Sequence, residues 1–278
     1  MQKQTIKIAT IDLYNNERNE GMRCIGEIVE DTKKKFNDLV ISYNIYETRF
    51  KGDIPGIDSD IYISSGGPGS PFEGAGKKWD NDYFNLIEKI YNHNQSNTDK
   101  KKYIFFICHS FQMMARFFEF GDISKRRSKS IGVMPFEKTE QGKTNNVLAE
   151  LPNPFYAADI RDYQVTNLKK KVIDDLGAKI LSYEISDNNR GDEPAIAAVR
   201  ISNEIFGTQF HPEADPESMI YHFNKPDEKK QIVDTYGEEK YNQMLEILEK
   251  PNAVKLTRKT VIPNFLNNAI DELSKVLI

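Results

Sequence analysis

The 278-residue chain is poor in the side chains that staple structure or bind cofactors: two cysteines, one tryptophan and four histidines. Cys24 and Cys108 are too few for a disulfide framework and form no Cys-x-x-Cys pair, which excludes a disulfide-stapled secreted fold and points to a reducing, cytoplasmic setting. No apolar run reaches 18 residues and none follows the first methionine, so neither a membrane span nor a secretory leader is expected. Nor does one sign of charge dominate. The 38 Lys and Arg stand against 42 Asp and Glu, a formal −4, so there is no basic field to attract nucleic acid or an anionic membrane. The short basic run Lys125-Arg126-Arg127-Ser128-Lys129 has no interleaved aromatics to stack bases and is read as a solvated loop. No group of Cys, His, Asp and Glu has metal-ligand spacing. Gln141-Gly142-Lys143-Thr144 lacks the first glycine and the strand-to-helix setting of a phosphate loop. Neither a metal nor a cofactor is therefore expected.

What is present is a composition ample for a packed core, with 38% hydrophobic residues. Apolar runs alternate with amphipathic stretches. Strands are expected over Thr5–Leu13, Leu39–Tyr46, Asp60–Ile63 and Tyr103–Ile107, with helices over Gly21–Phe36 and around Tyr83–Tyr91. The run Tyr103-Ile104-Phe105-Phe106-Ile107 has no polar face, as a strand covered on both sides requires. Shorter strands follow at Ile131–Phe136, Phe155–Ile160, Lys179–Ile185, Ala195–Ile201 and Glu204–Phe210. The pattern predicts an α/β fold, an open, mostly parallel sheet of flavodoxin-like form with helices on both faces. Residues 216–278 carry only helical periodicity. They are read as a C-terminal helical extension packed on a main domain of residues 1–215, with Pro251 ending one helix and Pro263 beginning the last, through Leu277.

Three strand ends carry complementary chemistry. Cys108 lies between the buried strand and a helix-like stretch, where helix N–H groups favour a thiolate. Gly66-Gly67-Pro68-Gly69 ends another strand, where bare backbone brings N–H donors close to a developing oxyanion. His211 and Glu213 end a third and supply a base with a carboxylate to orient it. His93 and His222 have no partner pattern and are read as surface or packing residues.

The segments Ile63-Ser64-Ser65-Gly66-Gly67-Pro68-Gly69-Ser70-Pro71, Ile107-Cys108-His109-Ser110-Phe111-Gln112 and Gly207-Thr208-Gln209-Phe210-His211-Pro212-Glu213, in that order, resemble the class I glutamine amidotransferases over roughly residues 5–215. The resemblance extends to the glutaminase portion of GMP synthase. It implies Cys108 as nucleophile, His211 as general base and acid, and Glu213 as the group that orients the imidazole. By the same resemblance, the N–H groups of Gly67 and His109 would form the oxyanion hole. Gln112, Asp162 and Tyr163 would stand beside bound glutamine. The implied reaction is ammonia release from the glutamine side chain through a glutamyl thioester. No synthetase segment is legible in the chain, so an ammonia-accepting synthetase would be a separate partner.

The chain also departs from the family pattern. The elbow usually reads Gly-x-Cys-x-Gly-x-Gln, and here Phe106 and Ser110 take the two glycine positions. Where many members carry Ser-His beside the amino-acid end of glutamine, this chain has Ile160-Arg161. That change motivates another γ-glutamyl compound or a small peptide as alternative substrate, and Phe106 motivates a catalytically weak binding protein. The Cys108-His109 dipeptide resembles the protease and glyoxalase-like branch of the superfamily, but neighbours at a turn point apart and His211-Pro212-Glu213 favours the amidotransferases.

Overall fold

A computed structural model describes residues 5–96, 98–185, 194–250 and 253–276. The first half runs β1 (Thr5–Ile11), α1 (Gly21–Lys35), β2 (Val40–Tyr46), the single turn α2 (Thr48–Lys51), β3 (Ile61–Ser64), α3 (Lys78–Gln95), β4 (Tyr103–Ile107) and α4 (His109–Phe118). It continues with β5 (Asp122–Lys138), α5 (Glu140–Lys143), β6 (Phe155–Thr166), α6 (Lys170–Leu176), β7 (Lys179–Glu184), β8 (Ile196–Arg200) and β9 (Ile205–Thr208). Four helices follow among the described residues: α7 (Pro216–Phe223), α8 (Pro226–Tyr236), α9 (Glu238–Glu249) and α10 (Val254–Val276).

The nine strands of the described residues join one open sheet in the order β2-β1-β3-β4-β9-β8-β7-β5-β6. The first five are mutually parallel, and β8, β7, β5 and β6 continue antiparallel. Every residue of β3 and β4 is buried, because helices cover both faces there. On one face α1 and α10 close over Ile6, Ile8 and Phe105. On the other, α3 and α4 close over Ala9, Tyr62 and Phe106. A third apolar cluster joins α7, α8 and α9 to the β5–β6 hairpin through Met219, Phe223, Ile232 and Met244. Helix α7 starts sharply because Asp215 and Ser218 form a capping box behind Pro216. This fixes the chain immediately after His211-Pro212-Glu213. No described helix is long and apolar enough to cross a membrane.

Two expectations are corrected. Lys125–Lys129 is not a free loop but part of β5: Lys125 pairs with Tyr163 and Ser130 with Arg161, so four residues bulge against one. Pro263 does not begin a helix; it lies inside α10. An interior proline costs about 3 kcal/mol through its missing N–H and a clash with the preceding turn. Val261, Ile262, Phe265, Leu266 and Ile270 are buried on either side of it, at about 1.5–3 kcal/mol for each large side chain, and that burial outweighs the break. Phe265 packs edge-on to Phe105 with ring centres 5.2 Å apart. Helix α9 ends at Glu249, while Pro251 and Leu277 lie outside the described residues.

Candidate active site

The carboxyl ends of β1, β3, β4 and β9 open into a cavity of about 240 Å³ that is bordered by Gly67, Cys108, His109, Gln112, His211 and Glu213. The sheet order explains why: residues 67, 108 and 211 are far apart in sequence but follow strands that are neighbours in the sheet.

Cys108 sits between β4 and α4 at φ 49° and ψ −98°, a left-handed conformation that a non-glycine residue adopts only under strain, of about 1–3 kcal/mol. The surroundings hold it there. Its N–H donates to the Thr208 carbonyl at 2.8 Å, and Ser110 Oγ accepts from Ile107 N–H at 2.7 Å while donating to the Ser64 carbonyl at 2.8 Å. Ser110, at a position usually glycine, thus ties β3 to the turn. Phe106 does not enter the cavity. It points into the core opposite Gly207, where a Cβ would lie 2.8 Å from Met114 Sδ and 2.9 Å from Phe111 Cδ2. Gly207 is the compensating small residue.

The Cys108 thiol, in a residue only 3% exposed, lies 3.6 Å from the Ile160 carbonyl and 3.8 Å from Gln209 Nε2. His211 borders the same cavity, near enough for Cys108 to act on its charge. Its ring nitrogen Nδ1 is 2.8 Å from Glu213 Oε1, and Glu213 is 1% exposed. Burial alone disfavours the imidazolium. Cys108 and the Glu213 carboxylate together outweigh that burial and hold His211 well above its ordinary value.

His109 starts α4 but turns its ring into the protein, beside the Gly69 backbone. Burial, with Arg49 and Arg116 nearby, pushes it down to about 3, so it is neutral. Gly67 is required by space: a Cβ would lie 2.6 Å from the Leu13 carbonyl oxygen. Gln112 Nε2 donates to the Tyr163 carbonyl at 3.1 Å and approaches Gln209 Oε1 at 3.3 Å, joining α4 to β6 and to the residue just past β9. Asp162 and Tyr163 border the cavity, as does Arg161. The Arg161 guanidinium is already engaged, bound to Asp159 at 2.8 Å and to Glu184 at 2.5 Å, with Arg126 on Glu184 at 2.8 Å. Despite burial, Arg161 and then Arg126 hold the Glu184 carboxyl below its ordinary value. Among the described residues no three His, Cys, Asp or Glu side chains gather to hold a metal.

The pattern of the glutamine amidotransferase class-I family matches residues 24–225. The chain belongs to the class-I glutamine amidotransferase family. Among solved structures it resembles a glutamine amidotransferase from Thermotoga maritima at TM-score 0.63 and 16% identity, covering 96% of this chain and 98% of that one. A glutamine amidotransferase from Methylobacillus flagellatus matches at TM-score 0.61 and 13% identity over 98% and 96% of the two chains. The glutaminase domain of Trypanosoma brucei CTPS, with bound acivicin, matches at TM-score 0.53 and 12% identity over 82% and 92%. These three likenesses are of fold. No curated protein matches by sequence.

In this class-I amidotransferase, His222 and Tyr14 are among the cavity residues that no motif marks. His222, expected to be a surface or packing residue, is on the cavity wall. Burial, then Lys225, His211 and Lys129, push it down to about 4. Tyr14, just past β1, also borders the cavity. Its position after a strand end was the available signal. His93, by contrast, meets the Lys100 carbonyl at 2.8 Å, away from the cavity.

Proposed function

We propose that this protein hydrolyses the side-chain amide of glutamine, with Cys108 as nucleophile, His211 as base and acid, and Glu213 as the group that orients the imidazole. The observation that carries this reading is the meeting of three groups at one cavity: the thiol on a strained elbow, the His211 imidazole, and Glu213 Oε1 2.8 Å from His211 Nδ1. Gln112, Asp162 and Tyr163 are the proposed contacts to the amino-acid end of glutamine, and the N–H groups of Gly67 and His109 the oxyanion donors.

In the first half-reaction Sγ attacks the amide carbon, its proton passing to His211. The tetrahedral adduct collapses as His211 returns that proton to nitrogen, the C–N bond breaks and ammonia leaves. The glutamyl thioester remains. Water then attacks the same carbon and gives a proton to His211, the C–S bond breaks, and glutamate departs as the proton returns to sulfur. A His211 that favours its protonated form supports the thiol-to-imidazole transfer that starts the cycle. Ammonia is useful only if captured, so a separate synthetase is the proposed partner. The Arg161 guanidinium, which motivated a different γ-glutamyl substrate, is bound by Asp159 and Glu184.

The test is ammonia release from glutamine by the purified protein and by Cys108→Ala, with iodoacetamide alkylation at neutral pH as a second readout. The expected outcome is release abolished in Cys108→Ala, and alkylation of Cys108 slowed at least about tenfold in His211→Ala. Equal release by Cys108→Ala would overturn the reading.

A further inference from the structure

We propose that Tyr14 is a positioning residue that orients the water for hydrolysis of the glutamyl thioester, a role that rests on the Cys108–His211–Glu213 reading. Tyr14 leaves β1 on a turn in which its N–H donates to Asp12 Oδ1 at 2.8 Å and the next two residues, Asn15 and Asn16, have φ of 54° and 61°. That turn swings the ring back over the cavity, into a slot kept open by two glycines. A Cβ on Gly21 would overlap the hydroxyl oxygen, and one on Gly66 would lie 3.0 Å from it.

The Gly66 position also fixes the relation to the base, because the same Cβ would lie 2.9 Å from His211 Cε1. The hydroxyl and the imidazole edge therefore flank a single glycine. Cε1 is bonded to both ring nitrogens. Nδ1 is taken by Glu213, so the flank left for a reactant is the Nε2 side. Among the described residues no hydrogen bond ties up the Tyr14 hydroxyl, and it borders the cavity. Burial, and then the carboxylate of Glu213 and Cys108, hold the phenol well above its ordinary value, so it stays neutral at any working pH.

A neutral phenol oxygen is a hydrogen-bond acceptor. Once ammonia has left, a water at the Nε2 flank can give one hydrogen to His211 and the other to Tyr14, which turns its lone pair toward the thioester carbon. The attack forms the C–O bond, passes one proton to His211 and breaks the C–S bond, with the proton then returning to sulfur. Thioester formation uses Sγ as nucleophile and needs no such water. The role therefore predicts a loss confined to the second half-reaction.

Steady-state kinetics with glutamine, together with intact-mass detection of the acid-quenched thioester, test this in Tyr14→Phe. The expected result is kcat lower by about tenfold and KM lower in parallel, with kcat/KM held within about twofold and thioester accumulating. Gly21→Ala, whose methyl group takes the oxygen's place, is expected to accumulate thioester as well. Hydroxylamine, a stronger nucleophile than water, should restore glutamine turnover in Tyr14→Phe. Unchanged kinetics in Tyr14→Phe, or kcat and kcat/KM falling together with no thioester, would overturn the role while leaving amide hydrolysis standing. A wild-type protein that neither forms a thioester nor releases ammonia overturns both.

Discussion

Phe106 and Gly207 are register partners on β4 and β9, and the absence of a side chain at residue 207 makes room for the elbow beside it. The large residue two positions before Cys108 is accommodated by the neighbouring strand. A methyl group on Gly207 would press on Met114 and Phe111 at under 3.0 Å and meet Phe106 Cβ at 3.3 Å, all inside a fully buried cluster. Gly207→Ala is accordingly expected to cost about 1–3 kcal/mol by overpacking. Since α4 carries two of those neighbours, Cys108 alkylation should change as well. Guanidinium unfolding midpoints check the first effect, and a midpoint equal to wild type would show that the core yields without cost.

Arg161, on the cavity wall, and Asp159 form a second buried pair, at 1% and 0% side-chain exposure. Ser130 Oγ, 2.7 Å from Asp159 Oδ2, is the remaining support for that carboxylate. Removing the guanidinium leaves a buried charge without its cation, so Arg161→Met is expected to cost about 3–5 kcal/mol. The double substitution Asp159→Asn with Arg161→Met should cost clearly less than Arg161→Met alone, because the stranded charge is gone. Additive losses in denaturant titrations would argue against the pair as a coupled unit.

The strands, the elbow and the His211-Pro212-Glu213 segment were legible because each is written in adjacent residues. A continuous apolar run states that a strand is covered on both faces, and a cysteine at its end states what that strand presents. What escaped depends on register or on balance. Gly207 acquires its role only once β9 is laid beside β4. The start of β5 was hidden because its charged bulge breaks the two-residue alternation, and Arg126 finds Glu184 from a strand 58 residues on. Pro263 breaks a local rule correctly applied, and the rule loses to buried apolar surface on both sides. Tyr14 and His222 reach the cavity because a turn and a capped helix fold back over it, which neither periodicity nor spacing records.

His222 gives the acid side of the stability curve a specific dependence. It lies among Lys225, Lys129 and His211 on the cavity wall, and its depression to about 4 from 6.5 means that the native fold refuses a proton that the unfolded chain accepts between those values. The unfolded state therefore binds more protons in that window, and stability falls as the pH drops from 6.5 toward 4, by about 2–3 kcal/mol from this residue. His109, pushed down to about 3, acts in the same direction and extends the decline to lower pH. His211, held above its ordinary value, acts the other way, and its contribution is lost as pH rises through its folded value. His222→Gln keeps a polar side chain that cannot ionise and leaves His109 in place. Denaturant midpoints for His222→Gln at pH 7 and pH 4.5 should therefore fall less than those of wild type, by most of that 2–3 kcal/mol. Two parallel declines would show that His222 takes up its proton in the native fold as readily as in the unfolded chain.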